Sequence, residues 1–342
     1  MDTQQIKGLI ADAVEGRALA PEQIAAAVGA MLDSQWDAAQ IAGLLVALRM
    51  RGESPAQLAA AAAALRQRRI AVVADNPEEL VDTCGTGGDG SHTFNVSTAA
   101  AFVAAACGVR VAKHGNRAQS GVCGSSDLIA ALGADLTASP EKVAECLADT
   151  GICFMFAPAH YPAMKEVAPV RAALGVRTMF NMLGPMLNPA GAGRQVVGIF
   201  SPDLIVPYAE TLRTLGSKRA LVVHAGGLDE FSVCAPCQYA SLAEDGTISS
   251  HSITPQQAGF EDSFALADLQ VADAKQAQAR FAEAIDGRPG AAAAACAFNA
   301  GAALHVAGVA DDITAGVRLA QQAQADGAAR AKVEQFRAFF GG

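Results

Sequence analysis

Short β-like runs alternate with helical runs along most of the chain after about residue 72. Helical periodicity fills the intervals between these runs, and parallel strands need such helical crossovers. The pattern therefore predicts a mostly parallel central sheet with helices on its faces, followed by a hairpin within residues 238–254 that turns at Asp245-Gly246. The expected strands cover residues 81–84, 109–113, 152–156, 196–200 and 219–224, and the expected helices lie around residues 97–107, 125–132, 140–149, 162–174 and 202–215.

Residues 1–70 carry only helical periodicity, and the fourth expected helix begins with a capping box from Ser54 to Gln57. The tail beyond residue 265 is again helical and rich in alanine. The predicted fold class is therefore α/β. A small all-helical N-terminal domain, residues 1–70, precedes a larger α/β domain, residues 72–342. We expect part of residues 162–190 to join the helical domain in space.

Composition narrows the class of function. Of the 342 residues, 25 are Lys or Arg and 34 are Asp or Glu, which gives a net charge of −9. Such a balance disfavours a nucleic-acid binder with a broad basic surface, but local sites for small anions remain open. With 51% hydrophobic residues, the chain has enough apolar material for a large core, so disorder is a poor interpretation.

Three further features bear on location. Residues 291–310 carry no formal charge, but Asn299 and His305 interrupt them and alanine dominates, so we expect a buried helix and no membrane span. The start of the chain does not resemble a signal peptide. Eight scattered cysteines suit reduced thiols in a cytoplasmic enzyme. The pair Cys234 and Cys237 has the C-x-x-C spacing, but no second pair or His cluster follows to complete a zinc site.

The segment DTCGTGGDGSHTFNVST, residues 82–98, holds four glycines between an expected strand and an expected helix. Glycines let main-chain amides approach a ligand, and the helix start adds free N–H groups and a positive dipole end, so the segment predicts an anion-binding loop. Its glycine spacing also matches the dinucleotide fingerprint. Seven residues precede the helix, however, and Arg110 stands where a ribose-binding acid is expected, which disfavours a nicotinamide site. A glycine turn that serves packing alone is a further alternative.

A second polar loop, residues 113–127, follows the next expected strand. It brings the cations Lys113 and Arg117, amide and hydroxyl donors and more glycines to one strand end, which faces the ligand crevice in open α/β sheets. Together with the first loop, this predicts a phosphate clamp. Taken alone, His114 and Lys113 would more often be structural or solvated residues.

In these motifs the sequence resembles the anthranilate phosphoribosyltransferases. The resemblance covers nearly the whole chain, in family order. It rests on GTGGDG (85–90), NVST (95–98), KHGNR (113–117), GSSD (124–127), MKEVAPVR (164–171), RTMFNMLGPMLNP (177–189) and GLDE (227–230). It implies Mg²⁺-dependent transfer of the phosphoribosyl group of phosphoribosyl diphosphate (PRPP) to anthranilate, in the fold shared with the pyrimidine nucleoside phosphorylases. It also implies a homodimer paired through the helical domain.

The resemblance implies roles for individual residues. Magnesium ligands fall on Ser97, Asp229 and Glu230. Anthranilate contacts fall on Gly85, Asn116 and Arg171, with His114 and Tyr161 as further candidates for that pocket. His114 is the candidate catalytic residue, which would orient the amine or relay its proton. The implied PRPP-binding residues are Gly85, Gly88, Asp89, Thr93, Asn95, Val96, Ser97, Thr98, Lys113, His114, Gly115, Asn116, Arg117, Ala118, Gln119, Ser120, Gly121 and Ser125.

Two positions depart from the family pattern. Tyr161 stands where the family commonly has histidine, and Gly121 stands where it tends to have a second serine. Both leave room for a different aromatic amine as acceptor. A nucleoside phosphorylase is disfavoured because the KHGNR loop and Arg171 suit a carboxylated amine. A non-catalytic, nucleic-acid-binding relative is disfavoured by the net charge and by the acid pair Asp229-Glu230.

Overall fold

The computed structural model describes residues 1–117 and 122–341, and its first 66 residues form four helices as expected. Side chains cap three of them: Asp2, Asp37 and Ser54 each accept a hydrogen bond from the main-chain amide three residues later. Proline is the first residue of the second helix and of the fourth helix. The helices are α1 (Thr3–Val14), α2 (Pro21–Leu32), α3 (Ala38–Arg51) and α4 (Pro55–Arg66).

A seven-stranded sheet forms the centre of the rest, in the order β3-β2-β1-β4-β5-β6-β7. Its strands are β1 (Val81–Gly85), β2 (Val111–Gly115), β3 (Ile152–Phe156), β4 (Arg194–Gly198), β5 (Arg219–His224), β6 (Cys237–Leu242) and β7 (Ile248–Ile253). The first five strands in chain order pair in parallel, and β6 and β7 add the expected antiparallel hairpin. The second strand begins two residues later than expected because the amide of Val109 bonds back to Ala104 O at 3.2 Å, which ends the preceding helix.

Eleven further helices lie between and after the strands, among the residues that the structure describes. They are α5 (Val96–Ala106), α6 (Ser125–Ala131), α7 (Pro140–Thr150), α8 (Ala157–His160), α9 (Ala168–Leu174), α10 (Met179–Leu183), α11 (Ile205–Thr214), α12 (Ala274–Ile285), α13 (Ala291–Ala307), α14 (Ile313–Ala325) and α15 (Ala328–Phe339). The single helix expected over 162–174 is instead a 3₁₀ segment, Pro162–Glu166, followed by α9. Pro169 explains the break, because proline cannot donate within a helix and its ring clashes with the carbonyl four residues earlier.

Two apolar cores lie on the two faces of the sheet. Strand β5 shows the division: Leu221 and Val223 belong to one core, and Ala220 and Val222 to the other. The first core holds α5, α7 and α12–α15. The second holds α1–α4, α11 and apolar side chains from residues 161–187, so this connecting segment packs with the N-terminal helices. The expected buried helix is α13, and within residues 1–117 and 122–341 no helix is long and apolar enough to cross a membrane.

Because the five strands are parallel, their carboxyl ends lie at one edge of the sheet. The glycine-rich loop leaves β1 there, the second polar loop leaves β2, and the Asp229-Glu230 segment follows β5. The topology therefore brings the three segments of the predicted site to one edge, where open α/β sheets bind ligands.

Candidate active site

Asp229 lies directly against the glycine-rich loop. Gly87 N donates to Asp229 Oδ2 at 2.7 Å. A Cβ on Gly85 would meet the Asp229 carboxylate, and a Cβ on Gly198, at the end of β4, would overlap the Asp229 main-chain carbonyl. Both positions therefore need glycine because the chain after β5 passes so close. Gly198 was not among the predicted site residues.

A tight turn from Ala225 to Leu228 sets the position of the following pair, Asp229-Glu230. Ala225 N donates to Leu228 O, and Leu228 N donates to Ala225 O, both at 3.0 Å. Gly226 and Gly227 occupy the tip with φ of 59° and 95°, a conformation that L side chains rarely adopt. The turn delivers Asp229 and Glu230 just beyond the strand end.

Three carboxyl groups cluster at this point. Burial, followed by the charge of Asp89, raises the pKa of Asp229 to about 7. Burial, followed by the charges of Asp229 and Asp89, raises the pKa of Glu230 well above its ordinary value, although Lys113 and the Ser97 amide oppose this. Grouped acids of this kind are costly unless a cation compensates them, and carboxylate and hydroxyl oxygens are ligands that Mg²⁺ prefers. Asp229, Glu230 and Ser97 thus fit the predicted metal site.

Lys113 lies beneath the glycine-rich loop and does not reach the surface of the crevice. Its ammonium donates to the Thr83 carbonyl and, at 3.3 Å, to Ser97 Oγ, and the residue is buried. Burial lowers the pKa of Lys113, while nearby Asp82 and Glu230 favour its charged form. The sequence suggested that Lys113 contacts a phosphate directly. The structure favours a buried Lys113 whose positive charge offsets the negative charge of Asp229 and Glu230.

His114 is held on both sides of its ring. Nδ1 lies 2.5 Å from Asp82 Oδ2, and Nε2 lies 2.8 Å from Gly184 O. Asn188 Nδ2 donates to Asp82 Oδ2 and to Ala112 O, each at 2.8 Å. Since both ring nitrogens face acceptors, the protonated ring satisfies both, and neither nitrogen is free for a substrate amine. This geometry favours a positioning role over the proton relay suggested by the sequence.

The ion pair between Asp82 and His114 predicts how stability depends on pH. Burial lowers the pKa of His114, but the influence of Asp82 and of the Gly184 carbonyl is larger, so the pKa of His114 is raised overall. Burial raises the pKa of Asp82, but the influence of His114 is larger, so the pKa of Asp82 is lowered overall. Hence the Asp82 contribution is present above about pH 4 and is lost as pH falls through its lowered pKa. The His114 contribution is present below about pH 6.5 and is lost as pH rises through its raised pKa.

The test compares the parent protein with His114→Gln by thermal unfolding at several pH values. We expect the stability difference to be largest between about pH 4 and about pH 6.5 and to shrink at higher pH, by about 1.4 kcal/mol for each unit by which the His114 pKa is raised. A difference that stays constant from about pH 5 to about pH 9 would contradict the ion pair.

Cys84 and the Asp82–His114 pair form the one group of three metal-ligating types that the described residues bring within 4.8 Å of one another. Asp82 and His114 are buried and already bonded to each other, to Asn188 and to Gly184. Burial, together with Asp82, raises the pKa of the Cys84 thiol well above its usual range. The group is therefore a packed structural element, since a thiol ligates metal as the thiolate.

The first loop has donors and acceptors without partners. Thr98 Oγ1 and Asn95 Oδ1 are buried and find no hydrogen-bond partner in the described part of the chain, whereas Asn95 Nδ2 donates to Cys123 O at 2.9 Å. Thr93 Oγ1 lies 3.4 Å from Ser91 Oγ, which itself donates to Asp89. The Val96 side chain is buried in the core, so any ligand contact it makes is through its main chain. At this helix start the Thr98 hydroxyl can donate to an anionic ligand, whereas Asn95 Oδ1 only accepts and so suits a hydroxyl group of a ligand.

The second loop is built around Gly115 and Asn116. A Cβ on Gly115 would collide with Ser125 Oγ, and Ser125 Oγ donates to Asn116 O at 3.3 Å. Arg117 is exposed, with one ion pair of 3.7 Å to Asp127. Arg117 thus remains available to a phosphate at this strand end. Four predicted PRPP-binding residues, Ala118, Gln119, Ser120 and Gly121, lie outside the described residues.

Arg171, on α9, has no hydrogen bond or ion pair to its side chain within residues 1–117 and 122–341, and its Nε is buried. The guanidinium lies 5.6 Å from the centroid of the Phe180 ring, and burial lowers its pKa. A partly buried guanidinium without an acid is costly, so it is suited to an incoming carboxylate.

Tyr161 packs in the helical core and does not open onto the crevice. It is 5% exposed, and burial raises its pKa to about 12 against the influence of Arg69 and Arg66. Its hydroxyl has no partner in the described part of the chain. The adjacent His160 is tied to Ile70 by Nδ1 at 2.8 Å from Ile70 O. This placement favours a packing role for Tyr161 over the acceptor contact considered from sequence.

We therefore expect Tyr161→Phe to leave turnover, and the KM for the anthranilate acceptor that the resemblance implies, within about twofold, because a buried unbonded hydroxyl contributes little or is costly. Tyr208→Phe is the matched control, since Tyr208 is likewise buried and donates to Met182 O at 2.8 Å. The control should lower stability by about 1 kcal/mol in thermal unfolding. A sharp loss of anthranilate turnover in Tyr161→Phe alone would show that the hydroxyl touches the acceptor.

Arg177 was part of a motif but not of the predicted site. Its guanidinium donates to the Gly88 carbonyl and lies 4.1 Å from the centroid of the Phe200 ring. It therefore ties the glycine-rich loop to the segment that follows α9. Asp82 and Asn188 were also missed. A charged residue inside an expected strand was a signal for Asp82, because a buried charge needs a partner.

Comparisons with known proteins identify the family. The helical bundle domain of the glycosyl transferase family matches residues 7–69, and the a/b domain of that family matches residues 77–330. The chain is 49% identical to the anthranilate phosphoribosyltransferase of Laribacter hongkongensis over 87% of this chain and 86% of that protein. It is 47% identical to that of Alkalilimnicola ehrlichii over 97% of each. This chain belongs to the anthranilate phosphoribosyltransferase family.

Solved structures of the family share the fold. The anthranilate phosphoribosyltransferase from Thermus thermophilus superposes with a TM-score of 0.90, 41% identity and coverage of 98% of this chain and 99% of that one. The Saccharomyces cerevisiae enzyme, solved in complex with PRPP and Mg, has a TM-score of 0.90 over 99% of each chain at 24% identity. The family and fold class expected from the motifs are thereby confirmed.

Proposed function

We propose that the chain transfers the phosphoribosyl group of PRPP to anthranilate, giving N-(5-phosphoribosyl)anthranilate and diphosphate. The amine nitrogen forms a bond to the anomeric carbon, and the bond from that carbon to the diphosphate oxygen breaks. Diphosphate leaves with the electron pair, and the nitrogen loses a proton. The observation that carries the proposal is the placement of Asp229-Glu230 against the glycine-rich loop at the sheet edge that also holds the β2 loop.

PRPP occupies the crevice between the two loops in this proposal. The positive dipole end of α5 and the unpartnered Thr98 hydroxyl suit its phosphate oxygens, and Gly85 and Gly88 let the main chain approach them closely. From the second loop, Arg117 is the exposed cation. Asp89, Thr93, Asn95, Val96, Ser97, Gly115, Asn116 and Ser125 complete the described part of the binding surface.

Mg²⁺ is the proposed cofactor, held by Asp229, Glu230 and the Ser97 hydroxyl. When bound, it neutralises charge on the diphosphate, which makes diphosphate a better leaving group. The chain prepares this position: the Gly87 amide orients Asp229, and Lys113 holds Ser97 Oγ and balances Glu230 from below. Departure of diphosphate leaves positive charge on the sugar, so catalysis is mainly positioning and charge neutralisation.

Anthranilate lies with its carboxylate at Arg171 and its amine towards the sugar, near Gly85 and Asn116. The aryl amine is already unprotonated at neutral pH, so no strong general base is needed. His114 then acts by fixing β2 to β1 through Asp82, which holds the second loop in place. The missing hydroxyl at Gly121 leaves a different aromatic amine as the second candidate acceptor.

The proposal extends to assembly and location. We propose a homodimer through the helical domain, residues 1–70 with part of 162–190. A groove of about 430 Å³ has a floor of small side chains from α2 and α4, among them Ala26 and Ala63, and polar side chains such as Arg68 also line it; this supports close approach of a second copy. All eight cysteines are free thiols, which supports a reducing compartment such as the cytoplasm. Light scattering of the purified protein tests the dimer.

A fluorescence assay tests the function, because anthranilate is fluorescent and its phosphoribosylated product is much less so. The purified protein is incubated with anthranilate, PRPP and Mg²⁺, and with each component omitted in turn. Decay that requires all three supports the proposal. PRPP binding without decay would redirect the search to other acceptors, and absence of PRPP binding would contradict the proposal.

A further inference from the structure

Asn299 lies near the middle of the alanine-rich helix α13. Asn299 is 5% exposed, and its side-chain amide makes three hydrogen bonds. Phe231 N donates to Asn299 Oδ1 at 3.0 Å, and Asn299 Nδ2 donates to Phe231 O at 2.8 Å. Nδ2 also donates to Ala295 O at 2.9 Å, within the helix. One side chain thus satisfies both main-chain polar groups of Phe231.

Phe231 directly follows the acid pair, so this clamp acts on the segment that carries Glu230. The Phe231 ring is buried, with its centroid 5.2 Å from that of Phe298 on α13 and 5.5 Å from that of Tyr239 on β6. On the other side, the turn from Ala225 to Leu228 ties the segment to β5. The Asp229-Glu230 pair is therefore held in place on both sides along the chain. The turn from Ala225 to Leu228 holds the side towards the N-terminus, and Asn299 holds the side towards the C-terminus.

The Asp229-Glu230 segment needs an anchor because the acidic side chains of the site repel one another. Asp89, Asp229 and Glu230 are neighbouring acids, and their mutual repulsion favours movement of the Asp229-Glu230 segment away from the loop. Without the Asn299 pair, Phe231 N and Phe231 O would also be left without hydrogen-bond partners in the core, which is costly. Both effects act on the position of Glu230 relative to Ser97.

We propose that Asn299 is a positioning residue that holds the Asp229-Glu230 segment in the geometry that binds Mg²⁺ together with PRPP. It touches neither substrate nor metal and acts through the main chain of Phe231. This inference rests on the proposed function for its ligands, but it concerns a residue on α13 outside all the sequence motifs of the site.

Gln324 on α14 supplies a matched control. It is likewise a buried amide, 4% exposed, and its Nε2 donates to Ala284 O at 2.6 Å and to Ala293 O at 3.2 Å. It joins helices of the same core but has no bond to the acid-pair segment. Gln324→Ala therefore removes a comparable set of hydrogen bonds without releasing Glu230.

The experiment measures the Mg²⁺ concentration that half-saturates turnover, the KM for anthranilate and the melting temperature of Asn299→Ala, Asn299→Ser and Gln324→Ala. Serine at position 299 can still bond to the carbonyl four residues earlier, so Asn299→Ser is the variant more able to fold. Its side chain cannot pair with both main-chain groups of Phe231. We expect both Asn299 variants to raise the half-saturating Mg²⁺ concentration about tenfold, equivalent to about 1.4 kcal/mol, with the anthranilate KM within about twofold. Gln324→Ala should lower the melting temperature without a shift in Mg²⁺ dependence.

Calorimetric titration of PRPP in the presence of Mg²⁺ separates this inference from the proposed function. If the parent protein binds Mg²⁺ and PRPP but does not consume anthranilate, the function fails, and weaker PRPP binding by the Asn299 variants still supports the inference. Unchanged Mg²⁺ dependence in a folded Asn299→Ser overturns it, as does an equal shift in Gln324→Ala. Absence of PRPP binding by the parent overturns both.

Discussion

Replacing Arg171 by alanine is expected to raise the KM for anthranilate about 100-fold while the KM for PRPP changes by no more than about threefold. The guanidinium is partly buried beside Phe180 and has no acid partner among residues 1–117 and 122–341, so a carboxylate ligand would gain a charge-assisted pair that nothing else satisfies. Initial rates with either substrate varied and the other saturating give the two KM values directly.

Two further variants make the Arg171 result specific. Arg171→Lys keeps the charge but loses the planar fork, so it should recover only part of the affinity for anthranilate. Arg213→Ala removes an exposed arginine of α11 that bonds to Gly246 O and should change neither KM. Equal increases in both KM values for Arg171→Ala would contradict the assignment of a carboxylate contact.

Glu230→Gln is expected to lower turnover about 100-fold or more at limiting Mg²⁺ and to raise the Mg²⁺ requirement, because one of the two proposed carboxylate ligands is lost. The same change should raise the melting temperature without Mg²⁺. Burial and the charges of Asp229 and Asp89 raise the pKa of Glu230, so the charged side chain costs stability and a neutral amide does not. Addition of Mg²⁺ should then stabilise the parent protein but not the variant.

Thermal unfolding with and without Mg²⁺ and turnover over a Mg²⁺ series provide both readouts. Glu244→Gln is the control, because Glu244 is exposed and makes one ion pair of 3.5 Å with Arg194. It should leave both readouts unchanged. A large loss of stability in Glu230→Gln, with Mg²⁺ dependence intact, would show that the acid is structural and not a ligand.

Local sequence patterns predicted most of the fold. The five parallel strands, the hairpin at Asp245-Gly246 and the four N-terminal helices follow from periodicity and capping, which depend on neighbouring residues. Local patterns also produced the errors, which concern where one helix and one strand begin or end. The helix expected over 162–174 is broken because Pro169 cannot lie inside it, and the strand before the second loop begins later because Val109 still closes α5.

The loops of the site were also readable from sequence, but the directions of their side chains were not. Whether Lys113 faces the crevice or the core depends on where α5 packs over β2, and the structure turns it inward to Ser97. Gly198 and Asn299 act on Asp229 and Phe231 through contacts between segments far apart in the chain. Periodicity carries no record of such contacts. The one local signal for Asn299 was a polar side chain inside an apolar helix, where a buried amide needs a partner.

The most direct test of the central claim is a mass balance of the reaction. Purified protein is incubated with anthranilate, PRPP and Mg²⁺, the product is identified by mass spectrometry, and diphosphate release is measured in the same sample. The account predicts phosphoribosylated anthranilate and diphosphate in equal amounts, with neither formed when Mg²⁺ is chelated. Diphosphate release without that product, or no reaction despite bound PRPP, would contradict anthranilate as the acceptor.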